Sequence, residues 1–271
     1  MFRKRNHSPF CRRAIAAVAL APLLVTGIVA AQDADLGRAE LYDPSERDLE
    51  RGRAIVVGAF TIQGTPEPQT GACFQCHGMD GRGDGTAAFP RLTDQVFKYL
   101  YDSLRDYASG VRQSPIMEPI ARALTDEQMR QVSAYYAAQV DAPYPPPPAV
   151  NPQVLQFGGA LAAVGSAERG VQACMNCHGP DGVGLPPTYP YLAGQFALYL
   201  EGELMDWKTG ARRGDGFGIM EDIARRLSDE EIAAVSLYYA SLRPASVTPD
   251  RDESEFPMTA GARPTARDPE R

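Results

Sequence analysis

The pentapeptide Cys-x-x-Cys-His occurs twice in this chain, at 73–77 and at 174–178. Two thiols one helical turn apart can each add to a vinyl group of one porphyrin. The imidazole that follows the second thiol then lies beneath the ring, where it ligates the iron. Two copies therefore predict two covalently bound haem c groups. The expected attachment and proximal residues are Cys73, Cys76, His77, Cys174, Cys177 and His178.

A zinc site or a redox-active thiol pair is the alternative interpretation of each motif. A structural zinc ion takes four protein ligands from Cys and His, whereas each motif supplies three. The chain contains five Cys and three His, and those outside the motifs, Cys11 and His7, lie in an N-terminal segment that we expect to be removed. No fourth ligand is then left, which favours haem.

The N-terminal segment is typical of a secretory signal. Residues 1–13 are rich in Arg and Lys and contain no acidic residue, and an apolar run over 14–31 follows. We expect cleavage after Ala31. An uncleaved membrane anchor is the alternative, which Pro22 and Gly27 within the run disfavour. Export to the periplasm agrees with the cysteines, because haem c is attached outside the cytoplasm.

The exported chain is acidic. The formal net charge is −7, and removing residues 1–31 takes away five Arg or Lys and no Asp or Glu, which changes it to −12. Such a charge disfavours nucleic acid as a partner and can steer the protein toward a basic patch on another protein. The same charge would also serve solubility alone.

Residues 71–140 and 172–243 are two copies of one structural unit. Apart from the motifs, the residues that recur 100 positions later are Pro90, Leu92, Gln95, Tyr99, Leu100, Leu104, Asp106, Gly110 and Arg112. A repeat of this length, with one haem motif in each copy, predicts two tandem domains.

Each copy predicts a pair of helices. The first helix has an apolar stripe at helical spacing. Its members are Val96, Leu100, Leu104 and Tyr107, repeated as Phe196, Leu200, Leu204 and Trp207. The second helix begins with a capping box in both copies. The capping pairs are Thr125 with Gln128 and Ser228 with Glu231. No strand-like alternation lies between these helices, so the predicted class is all-α.

The sixth ligand of each iron must come from a residue other than His, because the motifs use every His of the exported chain. Methionine is the natural candidate, since His/Met coordination is a cytochrome pattern. Only Met117 and Met220 correspond in the two copies, within the shared context Ile-Met-Glu-x-Ile-Ala-Arg. We predict that both lie in a loop between the helices and ligate the irons from the distal side.

Together these features resemble the dihaem cytochrome c4 family, in which two class I cytochrome c domains stand in tandem. The resemblance covers residues 49–140 and 154–243. It rests on the haem motifs with the Gly after each, the Asp-Gly pairs at 80–81 and 181–182, the segment Tyr-Pro-Tyr-Leu-Ala-Gly-Gln at 189–195, and the methionine segments. It implies that the carbonyls of Pro90 and Pro190 accept hydrogen bonds from the proximal histidines.

The same resemblance implies a periplasmic electron carrier, often associated with the membrane, that works in a respiratory chain and feeds a terminal oxidase. Its partners would be redox proteins, a membrane oxidase or a dehydrogenase, with neither nucleic acid nor a small-molecule substrate. A cytochrome subunit of a periplasmic dehydrogenase complex uses the same chemistry and stays open as an alternative. A dihaem peroxidase or a thiosulfate-oxidising dihaem enzyme is disfavoured, because it needs an open iron with additional His, or a Cys ligand.

The predicted organisation is two tandem class I cytochrome c domains joined by a proline-rich linker. We expect a signal peptide at 1–31, the first domain at 32–140, an extended, semi-rigid linker at 141–153, the second domain at 154–243 and a disordered tail at 244–271. A longer segment lies between Gly52 and Cys73 than between Gly170 and Cys174. We interpret it as a surface insertion, with a partner-contacting flap as the alternative.

Overall fold

The computed structural model describes residues 43–59 and 72–244. The predicted signal peptide, the tail beyond 244 and residues 60–71 of the predicted insertion lie outside the described residues. Every described residue belongs to one compact unit of the chain.

The described residues form ten helices and no strand, in the same order in each half of the chain. The first half contains α1 (Glu46–Val56), α2 (Phe74–His77), α3 (Phe97–Ser109), α4 (Met117–Ala123) and α5 (Asp126–Ala137). The second half contains α6 (Pro152–Val164), α7 (Met175–His178), α8 (Ala197–Thr209), α9 (Ile219–Arg226) and α10 (Asp229–Ser241). The prediction of an all-α fold built from a repeated unit is confirmed. None of these helices is long and apolar enough to cross a membrane.

Side-chain caps begin α5 and α10, as the sequence predicts. The hydroxyls of Thr125 and Ser228 each accept the backbone N–H three residues later, and the side chains of Gln128 and Glu231 accept the N–H of the cap residue in return. These reciprocal bonds satisfy N–H groups that have no partner within the first turn. The two helices therefore begin at fixed positions.

Each half has its own apolar core, formed where α5 packs on α1 and α3, or α10 on α6 and α8. Leu100 and Val132 are buried in the first core, and Leu200 and Val235 are buried in the second. Leu100 and Leu200 belong to the apolar stripe that the sequence predicts for the first helix of each pair. Burying a side chain of this size stabilises a fold by about 1.5–3 kcal/mol, so two separate cores can support two domains.

One glycine in each half allows a helix pair to pack closely. A Cβ atom at Gly52 in α1 would lie 2.2 Å from the carbonyl oxygen of Gln131 in α5. A Cβ atom at Gly158 in α6 would likewise lie 2.2 Å from the carbonyl oxygen of Ala234 in α10. Both distances are far below van der Waals contact, so a side chain would force the helices apart. Gly158 is therefore the counterpart of Gly52, and the pairing of Gly52 with Gly170 is wrong.

This correction shortens the predicted insertion. Twenty residues separate Gly52 from Cys73, and 15 separate Gly158 from Cys174. The first half is therefore longer by five residues in this region, rather than by most of the segment before its haem motif. Its interpretation as a surface insertion or a flap stays a prediction, because residues 60–71 lie outside the described residues.

The proline-rich segment after α5 contains no helix up to Asn151 and contacts both halves, through Arg91 and Arg243. The guanidinium of Arg91 donates to the carbonyl oxygens of Ala142 at 3.1 Å and Pro143 at 2.9 Å. The Tyr144 ring lies against two guanidinium groups. Its centroid is 5.0 Å from Cζ of Arg91 and 5.2 Å from Cζ of Arg243. Because these contacts hold the backbone and the ring, the segment is fixed rather than a free spacer.

The two halves meet around two arginines at equivalent positions of the repeat. Arg112 and Arg212 are both buried, and both pair with the carboxylate of Glu203 in α8. Arg112 also donates to the hydroxyl of Tyr199 at 2.8 Å. In the opposite direction, Arg212 donates to the hydroxyl of Tyr99 at 3.3 Å. Charged hydrogen bonds therefore cross the contact between the halves in both directions.

Glu203 breaks the symmetry of this contact, because its counterpart in the first half is Ser103. Ser103 accepts a hydrogen bond from Arg112 at 3.1 Å and carries no charge. Burial by itself would raise the pKa of Glu203, but Arg112 and Arg212 hold it below its usual range. One ionised carboxylate thus lies between two buried guanidinium groups and forms a salt bridge with each of them.

Replacing Glu203 with Gln is expected to lower the free energy of unfolding by about 3 kcal/mol at pH 7, because it removes the carboxylate that pairs with two buried cations. Glu201→Gln on the same helix is the matched control and should change the stability by no more than about 0.5 kcal/mol. Denaturant unfolding of both variants and of the wild type measures the difference.

The effect of Glu203→Gln is also expected to depend on pH. The unfolded carboxylate titrates near pH 4.5, and the folded one at lower pH. As the pH falls through this window, the unfolded state takes up the proton first, and the stabilisation by the charged Glu203 is progressively lost. The wild type should approach the variant in stability below pH 4.5. A difference that stays constant with pH would contradict the charge pairing.

Candidate cofactor sites

Cys73, Cys76, His77 and Met117 line one cavity of the first half, which has a volume of about 770 Å³. Apolar residues that also line it include Phe89, Leu100, Leu104, Ile120 and Val132. Two thiols, an imidazole and a thioether thus border a space that an apolar ring can occupy. The donor set fits haem c, because the thiols can form two thioether bonds while a nitrogen and a sulfur remain for the iron.

The single helical turn α2 brings the two thiols and the imidazole together. The N–H of His77 donates to the carbonyl oxygen of Cys73 at 2.9 Å, which is one full turn. Gly78 follows with a φ of +74°, a conformation that other residues rarely adopt, and the chain reverses there. Gly83 then donates to the carbonyl oxygen of His77 at 2.9 Å. The second half repeats these bonds around α7.

A backbone carbonyl fixes each proximal histidine, as the family resemblance implies. Nδ1 of His77 lies 3.0 Å from the carbonyl oxygen of Pro90, and Nδ1 of His178 lies 3.0 Å from that of Pro190. A carbonyl only accepts, so Nδ1 carries the proton and Nε2 keeps its lone pair. Burial lowers the pKa of both imidazoles, against the opposing effect of the carbonyl bonds. Each ring is therefore neutral with one free nitrogen, the form that ligates iron.

Cys73 and Cys174 are not arranged for thiolate chemistry. Burial raises the pKa of Cys73 and of Cys174 to about 11. Redox-active thiols instead have lowered pKa values, at sites that favour the thiolate. Within 43–59 and 72–244, no group of three or more His, Cys, Asp or Glu side chains is placed to hold a metal ion. The raised pKa values disfavour a redox-active thiol pair as the alternative.

Met117 and Met220 lie in the first turns of α4 and α9, not in the loop that the sequence predicts. The N–H of Met117 donates to the Ser114 hydroxyl at 3.1 Å, and the N–H of Met220 donates to the Asp215 carboxylate. These bonds satisfy free N–H groups at the helix starts and fix both backbones. Met117 shares a cavity with His77. For Met220, the role as a ligand rests on its equivalent position in the repeat.

The wall of the first cavity includes residues of the second half, among them Tyr199 and Glu203 of α8. The sequence does not reveal this contact, because nothing along the chain states how two tandem units dock. Its one signal is that Tyr99 and Arg112 recur as matched polar residues in the second copy. The first cofactor site is therefore closed in part by the other half of the chain.

Two cysteine pairs, each followed by a buried, carbonyl-bonded histidine in its own helical unit, define a dihaem c-type cytochrome. The cytochrome c family profile matches residues 67–138 and 167–243, once in each half. The chain belongs to the cytochrome c family, as a dihaem electron carrier of the cytochrome c4 type with two covalently bound haem c groups.

Similar proteins include both cytochromes c4 and electron acceptors. The chain is 34% identical over 178 residues to cytochrome c4 of Pseudomonas aeruginosa, which covers 65% of this chain and 86% of that one. It is 41% identical over 182 residues to a thiosulfate dehydrogenase electron acceptor of Stutzerimonas stutzeri, with 66% and 83% covered. The structure of thiosulfate dehydrogenase from Marichromatium purpuratum matches with a TM-score of 0.63 and 36% identity. That match covers 72% of this chain and only 40% of that longer chain.

Protein produced with haem c attachment is expected to carry two haems that acidified organic solvent does not extract, because each motif has its own thiol pair. Replacing Cys177 with Ser removes one thioether bond of the second half and should impair attachment there while the first site stays loaded. Cys76→Ser is the mirror variant. Mass spectrometry counts the haems, and a single haem in the wild type would contradict the assignment.

Proposed function

We propose that this protein is an exported, periplasmic carrier that accepts single electrons from a thiosulfate-oxidising dehydrogenase and passes them on toward a terminal oxidase. The choice of electron donor is supported by the 41% identity to a thiosulfate dehydrogenase electron acceptor, over 83% of that relative. When bound, haem c supplies reversible one-electron chemistry at its iron. The protein's part is to hold the two irons and to set their potentials.

In this proposal, His77 and Met117 hold the first iron, and His178 and Met220 hold the second. Such coordination raises the reduction potential and leaves no open position for a substrate. Among the described residues, the two motifs contain every His and every Cys. No further His or Cys is thus available there to replace a methionine, which supports a carrier over a dihaem peroxidase or a thiosulfate-oxidising enzyme.

The proposal includes the export signal at 1–31, the domains at 32–140 and 154–243, and the linker at 141–153. The attachment of haem c outside the cytoplasm supports export. The negative net charge of the chain after removal of residues 1–31 supports docking in solution on a basic patch of a redox partner.

A permanent cytochrome subunit of a dehydrogenase complex is the second candidate. It is favoured by the thiosulfate dehydrogenase structure, since this chain aligns with 40% of one longer chain there. The two candidates share the same chemistry at the irons and differ in the lifetime of the complex. Size-exclusion chromatography of a native periplasmic extract separates them, because a free carrier elutes at its own mass and a subunit elutes with the dehydrogenase.

The reduced wild-type protein is expected to bind no carbon monoxide, because each iron has two protein ligands. Met117→Ala and Met220→Ala should each open one iron, bind carbon monoxide there, and lose about half of the sulfur-to-iron absorption band of the oxidised protein. Met205→Leu, which changes a methionine without a counterpart in the repeat, is the matched control. Carbon monoxide binding by the wild type would contradict the ligand assignment.

Thiosulfate dehydrogenase supplied with thiosulfate is expected to reduce the oxidised protein with a second-order rate constant of about 10⁶ M⁻¹s⁻¹ or more, since docking of specific redox partners reaches this range. Stopped-flow haem absorbance measures the rate, with thiosulfate alone as the blank and a sequence-unrelated monohaem cytochrome as the control acceptor. Reduction no faster than that of the control acceptor would reject this donor.

A further inference from the structure

A glutamine of the second half binds the peptide segment that holds the proximal histidine of the first. Arg91 donates its N–H to Oε1 of Gln195 at 2.9 Å, and Nε2 of Gln195 donates to the carbonyl oxygen of Arg91 at 3.0 Å. Arg91 directly follows Pro90, whose carbonyl oxygen lies 3.0 Å from Nδ1 of His77. The contact between the halves therefore reaches the first cofactor site through one residue.

The same exchange occurs in the opposite direction. Tyr191 donates its N–H to Oε1 of Gln95 at 2.9 Å, and Nε2 of Gln95 donates to the carbonyl oxygen of Tyr191 at 3.1 Å. Tyr191 directly follows Pro190, whose carbonyl oxygen lies 3.0 Å from Nδ1 of His178. Since the two glutamines occupy equivalent positions of the repeat, each half contributes one to the other.

Both glutamines are held rigidly. Gln95 and Gln195 are each only 6% exposed. Oε1 of Gln95 also accepts the N–H of Val96 at 3.2 Å, and Oε1 of Gln195 accepts that of Phe196 at 3.1 Å. These bonds fix the side chains at the starts of α3 and α8. A buried amide with its donor and acceptor both in use has little freedom to reorient, so it transmits the position of its helix.

The hydrogen bonds form a continuous chain through one planar peptide group. The C=O of Pro90 and the N–H of Arg91 are the two ends of the same peptide unit. When Gln195 accepts from that N–H, it polarises the peptide group and strengthens the carbonyl as an acceptor for the His77 proton. A stronger acceptor at Nδ1 makes the imidazole a more basic ligand, which favours the oxidised iron.

We propose that Gln95 and Gln195 are positioning residues that act across the boundary between the halves. Gln195 tunes the iron held by His77, and Gln95 tunes the iron held by His178. This inference rests on the proposed role of the two histidines as iron ligands. Each reduction potential then depends on the docking of the other half, so the potentials of the tandem protein differ from those of its isolated halves.

Gln195→Met in the full-length dihaem protein tests the proposal. Methionine has a similar length and shape but no amide, so both bonds to Arg91 are lost while the volume is kept. The reduction potential of the first haem should rise, and that of the second should stay unchanged. Potentiometric titration measures both potentials. The hyperfine-shifted NMR methyl signals of Met117 and Met220 assign them to the two haems.

Gln95→Met is the mirror variant and should raise only the second potential. Tyr144→Phe is the matched control. It removes a hydroxyl contact with Tyr191 and leaves in place every hydrogen bond that links Gln95 and Gln195 to the two histidines. It should shift neither potential. Amide hydrogen exchange is the second readout. The N–H of Arg91 should exchange faster in Gln195→Met, while the N–H of Tyr191 keeps its wild-type rate.

A shift confined to the haem of the mutated half would show that the glutamine acts locally, and it would overturn the proposal. Equal shifts at both haems, as a general loosening would produce, would do the same, and so would unchanged potentials. If Gln195→Met does not assemble with two haems, Gln95→Met gives the same decision. The potentiometric titration uses no dehydrogenase, so a negative result in the thiosulfate assay would not contradict the proposed role of the glutamines. A wild-type spectrum without histidine ligation would instead contradict the assumption that His77 and His178 ligate the irons, on which the proposed role of the glutamines rests.

Discussion

Covalent attachment of a porphyrin requires two thiols and an imidazole on one short stretch of chain, with the ring of the imidazole held from behind. A helix of four residues is far too short to be stable alone, so the rest of each domain must support it. In the first half, α5 does so through the hydroxyl of Tyr136, which donates to the carbonyl oxygen of Gly78 at 3.0 Å. The glycine turn and the return of the chain to Pro90 complete this support.

The parts of this arrangement that depend on neighbouring residues can be predicted from the sequence. The capping boxes, the apolar faces and the attachment residues are of this kind, because each follows from spacing within a few turns. The helix starts at Met117 and Ile219 are missed, since the side chains that bond N–H groups of their first turns, Ser114 and Asp215, lie in loops without a strong pattern. Gly52 is matched to the wrong glycine, because its role depends on which helix lies against it.

The contacts between the two halves cannot be predicted from the sequence. Gln195 and Arg91 are 104 positions apart, and a matched glutamine in a repeat is equally compatible with a local role. The contact is also polar, with Arg, Glu, Gln and Tyr side chains where a core would have apolar ones. Buried polar groups must all find partners at once, so such a contact permits one docking geometry and penalises its neighbours. The two cofactor sites thereby keep a constant mutual placement.

The carboxylate at Glu203, where the equivalent position of the first half is Ser103, limits how the two halves can be combined. A chain made of two first halves would bury two guanidinium groups with no carboxylate between them. A chain made of two second halves would crowd a second carboxylate into the same space. Only the mixed order has the observed charge set, so the halves have become unequal partners. One acidic side chain in the second half therefore makes the two halves complementary at this contact, and neither half can take the place of the other.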